Sequence, residues 1–76
     1  MKRAGECSFW MLNQKKGATY TIEFTFDTFE YSGKVYKGAV RAKLDSLSNW
    51  EYKECSEAKY ALQFGERMIE RQKKWR

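Results

Sequence analysis

Ala18-Thr-Tyr-Thr-Ile-Glu-Phe-Thr-Phe-Asp27 runs toward a Ser32-Gly33 turn and returns as Val35-Tyr-Lys-Gly-Ala-Val-Arg-Ala-Lys-Leu44. Apolar and polar residues alternate on both sides of the turn, the period-two signature of half-buried antiparallel strands. A three-residue loop, Ser32-Gly33-Lys34, pairs Tyr31 with Val35, Phe26 with Val40, Phe24 with Ala42 and Ile22 with Leu44. That register puts the apolar residues on one face. The other face pairs Glu23 with Lys43 and Thr25 with Arg41. Past Asp27 the alternation changes sides. Thr28 and Glu30 turn inward, while Phe29, Tyr31 and Val35 turn outward. A bulge near Asp27 would rotate them back.

Upstream, Cys7 to Gln14 holds the short apolar run Ser8-Phe-Trp-Met-Leu-Asn13, and Lys15-Lys16-Gly17 follows at once. Gly accepts the left-handed position of a three-residue hairpin loop. The run therefore reads as a first strand that pairs Leu12 with Tyr20 and Trp10 with Ile22. Residues 1–6 read as a loose, charged terminus. Downstream, Asp45 to Asn49 is turn-like. Ser48-Asn-Trp-Glu51 matches a capping box, so a helix start fits there. Trp50 and Tyr52 alternate with Glu51 and Lys53, however, and lie off the stripe of the helix that follows. A short strand over 49–54, with both rings on the core face, is the preferred reading.

From Ser56 the pattern is helical. Ser56 suits an N-cap, and Glu57 suits the positive end of the helix dipole. Ala58, Ala61, Leu62, Gly65, Met68 and Ile69 recur at spacings of three and four, giving one apolar stripe. Gly65 costs about 1 kcal/mol against Ala in mid-helix, which points to a close approach by a sheet aromatic. The expected fold is α+β. It is an antiparallel β-meander of three to four strands (about 7–14, 18–31, 35–44 and 49–54) packed by one C-terminal helix (about 56–74). The helix covers the face bearing Trp10, Tyr20, Ile22, Phe24, Phe26, Val40 and Leu44.

Seventy-six residues make one domain with a modest core. Thirteen aromatic rings are more than such a core readily buries, so some are expected at the surface. The net charge of +5 favours acidic partners: nucleic acid, a ribonucleoprotein or an acidic protein surface. A charge of this size also serves plain solubility. Two cysteines, Cys7 and Cys55, are too few for a disulfide framework or a Cys-only zinc site. They are expected to be reduced thiols. No signal-peptide core and no transmembrane run occur, so the chain reads as soluble and cytoplasmic.

The chain contains no His to activate either thiol, and Gly17 and Gly33 fall in hairpin loops rather than in a phosphate-cradling motif. Asp45, Glu51, Glu54 and Glu57 form an acidic segment without metal-ligand spacing. No enzyme activity, cofactor or metal is expected. Two surfaces stand out instead. The outer face of the hairpin gathers Phe29, Tyr31, Val35, Lys37, Arg41 and Lys43, with Phe9 and Met11 beside it. Rings interleaved with cations stack bases or form protein interfaces. The second surface is the tail, with Arg71, Lys73, Lys74, Trp75 and Arg76. Its cations equally suit a helix C-terminus.

Strands followed by a helix opening Ser56-Glu-Ala-Lys59 resemble, in order only, double-stranded-RNA-binding domains and antitoxin domains of the HicB type. The former have an N-terminal helix and a Gly- and Lys-rich approach to the last helix. Here the approach is the acidic Asn49-Trp-Glu-Tyr-Lys-Glu-Cys55, and no residues carry over. A compact, basic, His-free domain is also similar to small inhibitors of phage or mobile elements. The expected function is a non-enzymatic module that docks on a protein or ribonucleoprotein partner, as an inhibitor or regulator. The alternative is direct binding of RNA or DNA.

Overall fold

The computed structural model describes residues 1–13 and 15–74. It is an α+β fold of five strands and one helix: β1 (Lys2–Arg3), β2 (Trp10–Met11), β3 (Thr21–Tyr31), β4 (Lys34–Lys43), β5 (Glu51–Glu54) and α1 (Ala58–Lys74). A short 3-10 turn, Ala4–Glu6, follows β1. The sheet runs β1-β3-β4-β5, and β2 also pairs with β3. Among the described residues no helix is long and apolar enough to cross a membrane.

The sheet is mixed, not a pure antiparallel meander. β1 runs parallel to β3, with Lys2 opposite Phe29 and Arg3 opposite Glu30. The reason is a difference in length. The β2 segment reaches β3 only near its start, at Ile22, Glu23 and Phe24, so the distal edge of an eleven-residue β3 stays open until β1 closes it. The first six residues are thus structural, and Ala4 is buried against Phe29.

The first strand is shorter than 7–14 and shifted by two residues. Trp10 pairs with Phe24 and Met11 with Glu23, where Ile22 was expected opposite Trp10. Asn13 ends the pairing. Its side-chain oxygen accepts the Ile22 N–H at 2.8 Å, and its amide donates to the Tyr20 carbonyl. A side chain thereby replaces the next step of the backbone ladder.

The central hairpin turns through two residues rather than three. Ser32 (φ 51°) and Gly33 (φ 79°) both take positive φ, and Tyr31 pairs with Lys34. Paired left-handed residues match the twist of the flanking strands. Between Thr25 and Thr28 the register then shifts, so that Phe26 and Asp27 together oppose Gly38. At the base, Phe24 therefore faces Val40, Ile22 faces Ala42, Glu23 faces Arg41 and Thr25 faces Ala39. These partners differ from the expected ones by two residues. An even shift preserves the faces, so Ile22, Phe24 and Val40 remain core.

The helix lies over that face. Ala61, Gly65, Met68 and Ile69 are buried with Ile22, Phe24, Val40, Ala42 and Cys55, while Leu12, Tyr20, Leu44 and Phe64 flank them. Leu62 and Ala58 fall at the exposed margin of the stripe. Glu57, not Ser56, precedes the first helical residue. Gln72 fixes the far end: it accepts the Leu44 N–H at 2.9 Å and donates to the Ala42 carbonyl at 3.3 Å.

Gly65 meets Ile22 rather than an aromatic. A Cβ there would overlap Ile22 Cγ2 and stand 3.0 Å from its Cδ1. Ile22 is fully buried and has no room to yield. Gly65→Leu is therefore expected to destabilise the fold. Overpacking costs about 1–3 kcal/mol, offset by up to about 1 kcal/mol of helix propensity. Thermal melting checks this, and a variant more stable than wild type would contradict the contact.

Candidate docking surface

The outer face of the hairpin is a second, smaller core. Ala4, Phe29, Tyr36 and Ala39 are buried there, with Cys7, Phe9 and Tyr52 packed against them and no helical residue among them. Phe29 is 0% exposed. Its ring stacks on Tyr36, with centroids 5.0 Å apart and planes 5° apart, and meets Phe9 edge-on at 5.7 Å. Phe29 is thus not a docking residue. The ring lies on the outer face as expected, but Ala4 of the N-terminal segment, Phe9 and Tyr52 cover it. Tyr52 and Trp50, expected against the helix, also lie on this side. The register puts Tyr52 opposite Arg41, and Glu51 and Lys53 turn to the helix instead.

Arg41 is likewise structural. Its guanidinium lies between Phe9 and Trp50, 3.9 and 4.2 Å from the ring centroids, and reaches Glu23 at 2.6 Å. A planar cation that stacks on two rings is not replaced by an ammonium. Arg41→Lys is expected to cost about 1–2 kcal/mol through the lost stacking. Urea denaturation reads this directly, and an unchanged midpoint would show that the stack carries no energy. Lys43 sits half-buried with its ammonium 4.8 Å from the Trp50 ring.

Of the six residues expected on the outer face, Tyr31, Val35 and Lys37 are the ones exposed. Tyr31 leans on Tyr52, with centroids 4.2 Å apart. Val35 stands opposite Glu30 and Lys37 opposite Thr28. The described tail cations Arg71, Lys73 and Lys74 line one surface pocket with Lys15 and Arg67, where Glu66 and Glu70 balance part of the charge. Arg71 bonds Glu51 on the β5 side, and Lys73 pairs with Glu70 and lies 5.8 Å from the Tyr20 ring centroid. Lys74 is exposed, and Trp75 and Arg76 lie outside the described residues. The acidic segment is dispersed. Asp45 accepts the Leu47 and Ser48 N–H groups, Glu54 accepts the Lys37 N–H, and Glu57 meets Lys59.

The two most exposed of the described rings were expected in the core. Trp10 is 51% and Phe26 61% exposed, with centroids 6.0 Å apart. Phe26 also meets Phe24 edge-on at 4.6 Å. The bulge explains Phe26. It sits at the unpaired step opposite Gly38, and bulges re-aim side chains in this way. Trp10 is left open because β2 is an edge strand of two residues. Beside them, Asp27 is held by Lys2 at 3.5 Å and by the Ser8 N–H at 3.4 Å. Among the described residues no cation lies over either ring. The cations stack on Phe9, Tyr20, Tyr36, Trp50, Tyr60 and Phe64 instead.

The cysteines are free thiols in different clusters. Burial pushes the Cys7 thiol up, and the Asp27 carboxylate adds to the shift. That is opposite to the change that activates a nucleophile. Comparison of the chain with protein-family models, with curated proteins and with solved structures finds no match.

Proposed function

We propose that this chain is a small, non-enzymatic binding module that docks on a protein partner through Trp10 and Phe26. One observation carries the reading: the two most exposed of the described rings, Trp10 and Phe26, are adjacent and form one patch. Trp and Phe on an open edge are typical interface anchors. The surroundings favour protein over nucleic acid. A base-stacking platform needs open rings beside free cations, whereas these rings stand beside Asp27, and the cations near other rings are engaged elsewhere.

Direct RNA or DNA binding is the second reading, supported by the net charge of +5. Phosphate-dominated binding weakens steeply with salt; an aromatic-centred protein interface does not. A hot-spot ring contributes about 2 kcal/mol or more, roughly 30-fold in affinity. Trp10→Ser with Phe26→Ser is therefore expected to melt near wild type and to lose a partner that the wild type captures from nuclease-treated lysate. A double variant that retains this partner would sink the assignment of the surface. Capture that depends on intact nucleic acid would sink the choice of partner.

A further inference from the structure

We infer that the open edge of β5, with the groove between β5 and the helix, is a strand-addition site for an acidic extended peptide of a protein partner. It lies on the sheet edge opposite β2 and is independent of the Trp10–Phe26 surface.

The backbone register provides the template. The Cys55 N–H donates to the Gly38 carbonyl at 3.2 Å, which marks a hydrogen-bonded pair. Antiparallel pairs alternate between bonded and non-bonded. Ala39–Glu54 and Arg41–Tyr52 are therefore non-bonded pairs. Tyr52 and Glu54 turn their N–H and C=O groups away from β4, toward a side where the sheet ends. Among the described residues no strand pairs with that side. The edge is short and charged, but it contains neither Pro nor a bulge to interrupt an added strand.

The side chains select the ligand. Alternate residues of an added strand project to the two faces of the sheet. On the helix side they enter a groove of about 250 Å³ lined by Lys53, Phe64, Arg67, Met68 and Arg71, with Tyr52 at its rim. Lys53 stands 5.1 Å from the Phe64 ring centroid, and Arg71 is held by Glu51. Arg67 is exposed and has no carboxylate partner among the described residues. Glu54 is drawn off by the Lys37 N–H. Three cations against one engaged carboxylate make the groove electropositive, and an arginine without a partner suits a ligand carboxylate. On the opposite face the added strand meets Tyr52 and Tyr31, which suit apolar side chains. The ligand is thus a strand in which carboxylates alternate with apolar residues, bound mainly through its backbone and sorted by charge.

The probe is acetyl-Val-Glu-Val-Glu-Val-Glu-amide, with acetyl-Val-Val-Val-Glu-Glu-Glu-amide as an equally charged control. The alternating peptide is expected to slow amide exchange of Tyr52 and Glu54 in the full chain by about tenfold or more. Arg67→Glu is expected to weaken its affinity by about tenfold or more while melting near wild type. Arg67→Gln provides a milder loss should the reversal disturb the helix. Trp10→Ser leaves peptide affinity unchanged, so failure of this site and failure of the aromatic surface are separable. The inference is overturned if the control peptide binds equally well, or if Tyr52 and Glu54 stay unprotected in the complex. It is also overturned if oligo-dT gives the same protection, or if sedimentation shows that a second copy already occupies the edge.

Discussion

Phe29→Ala is expected to lose about 3–5 kcal/mol of stability, the usual cost of emptying a buried phenyl site. A 76-residue domain has roughly 4–11 kcal/mol in all. The variant should therefore melt more than about 12 °C below wild type or fail to fold at 25 °C. The ring is fully buried, stacks on Tyr36 and meets the edge of Phe9. Its loss leaves a void beneath Ala4 and releases the N-terminal segment from the strand that it closes. The informative contrast is three residues away. Phe26→Ala removes a ring that is mostly in water, so its melting point should stay close to wild type. Differential scanning calorimetry on both variants decides the matter. Equal melting points would mean that Phe29 is not the buried ring of the second core.

Gly38→Ala is expected to cost about 2–5 kcal/mol. Gly38 has φ 84°, where a side chain adds about 1–2 kcal/mol of strain. Its Cβ would also stand 2.8 Å from the Cys55 carbonyl oxygen and 3.4 Å from that of Thr25. Both obstacles are backbone, and the Cys55 segment is tied to Gly38 by its own hydrogen bond. Relief requires the strands to part, at a further cost of about 1–3 kcal/mol. Gly33→Ala is the matched control: φ is 79°, and nothing lies within 4 Å of the added carbon. It should show the strain alone. Chemical denaturation of the pair isolates the clash, and equal losses would remove it from the account.

The parts of this architecture that were legible in the sequence are those written in periodicity. Alternation through Thr21–Tyr31 and Lys34–Lys43 specifies two long paired strands, and the three-four spacing of Ala61, Gly65, Met68 and Ile69 specifies the buried helix stripe. Even the bulge left a mark, the parity switch between Phe26 and Phe29. What was illegible depends on single backbone steps. Ser32-Gly33 with or without Lys34 reads equally well as a loop, and one residue there decides which residues pair across the hairpin. Lys2–Arg3 has no strand pattern, since two cations are ordered only by the edge that they find. The Asn13 side chain mimics a backbone step, which no apolar pattern encodes. The expected site failed for a different reason. Phe29 and Arg41 do lie on the outer face, but Ala4, Phe9, Trp50 and Tyr52 cover them there, and the alternation of one hairpin does not encode that cover.

The parallel pairing of β1 with the far half of β3 bears on the order of assembly. Residues 2–3 are made 27 residues before their partners at 29–30, and the Ser32-Gly33 turn that pairs β3 with β4 is made later still. Hairpins with short loops form in about 1–10 μs, whereas distant contacts wait on a costlier chain closure. During synthesis the N-terminal segment therefore has no seat until β3 and β4 have paired around Ser32-Gly33. The earliest-made strand of the sheet is the one that docks after the hairpin.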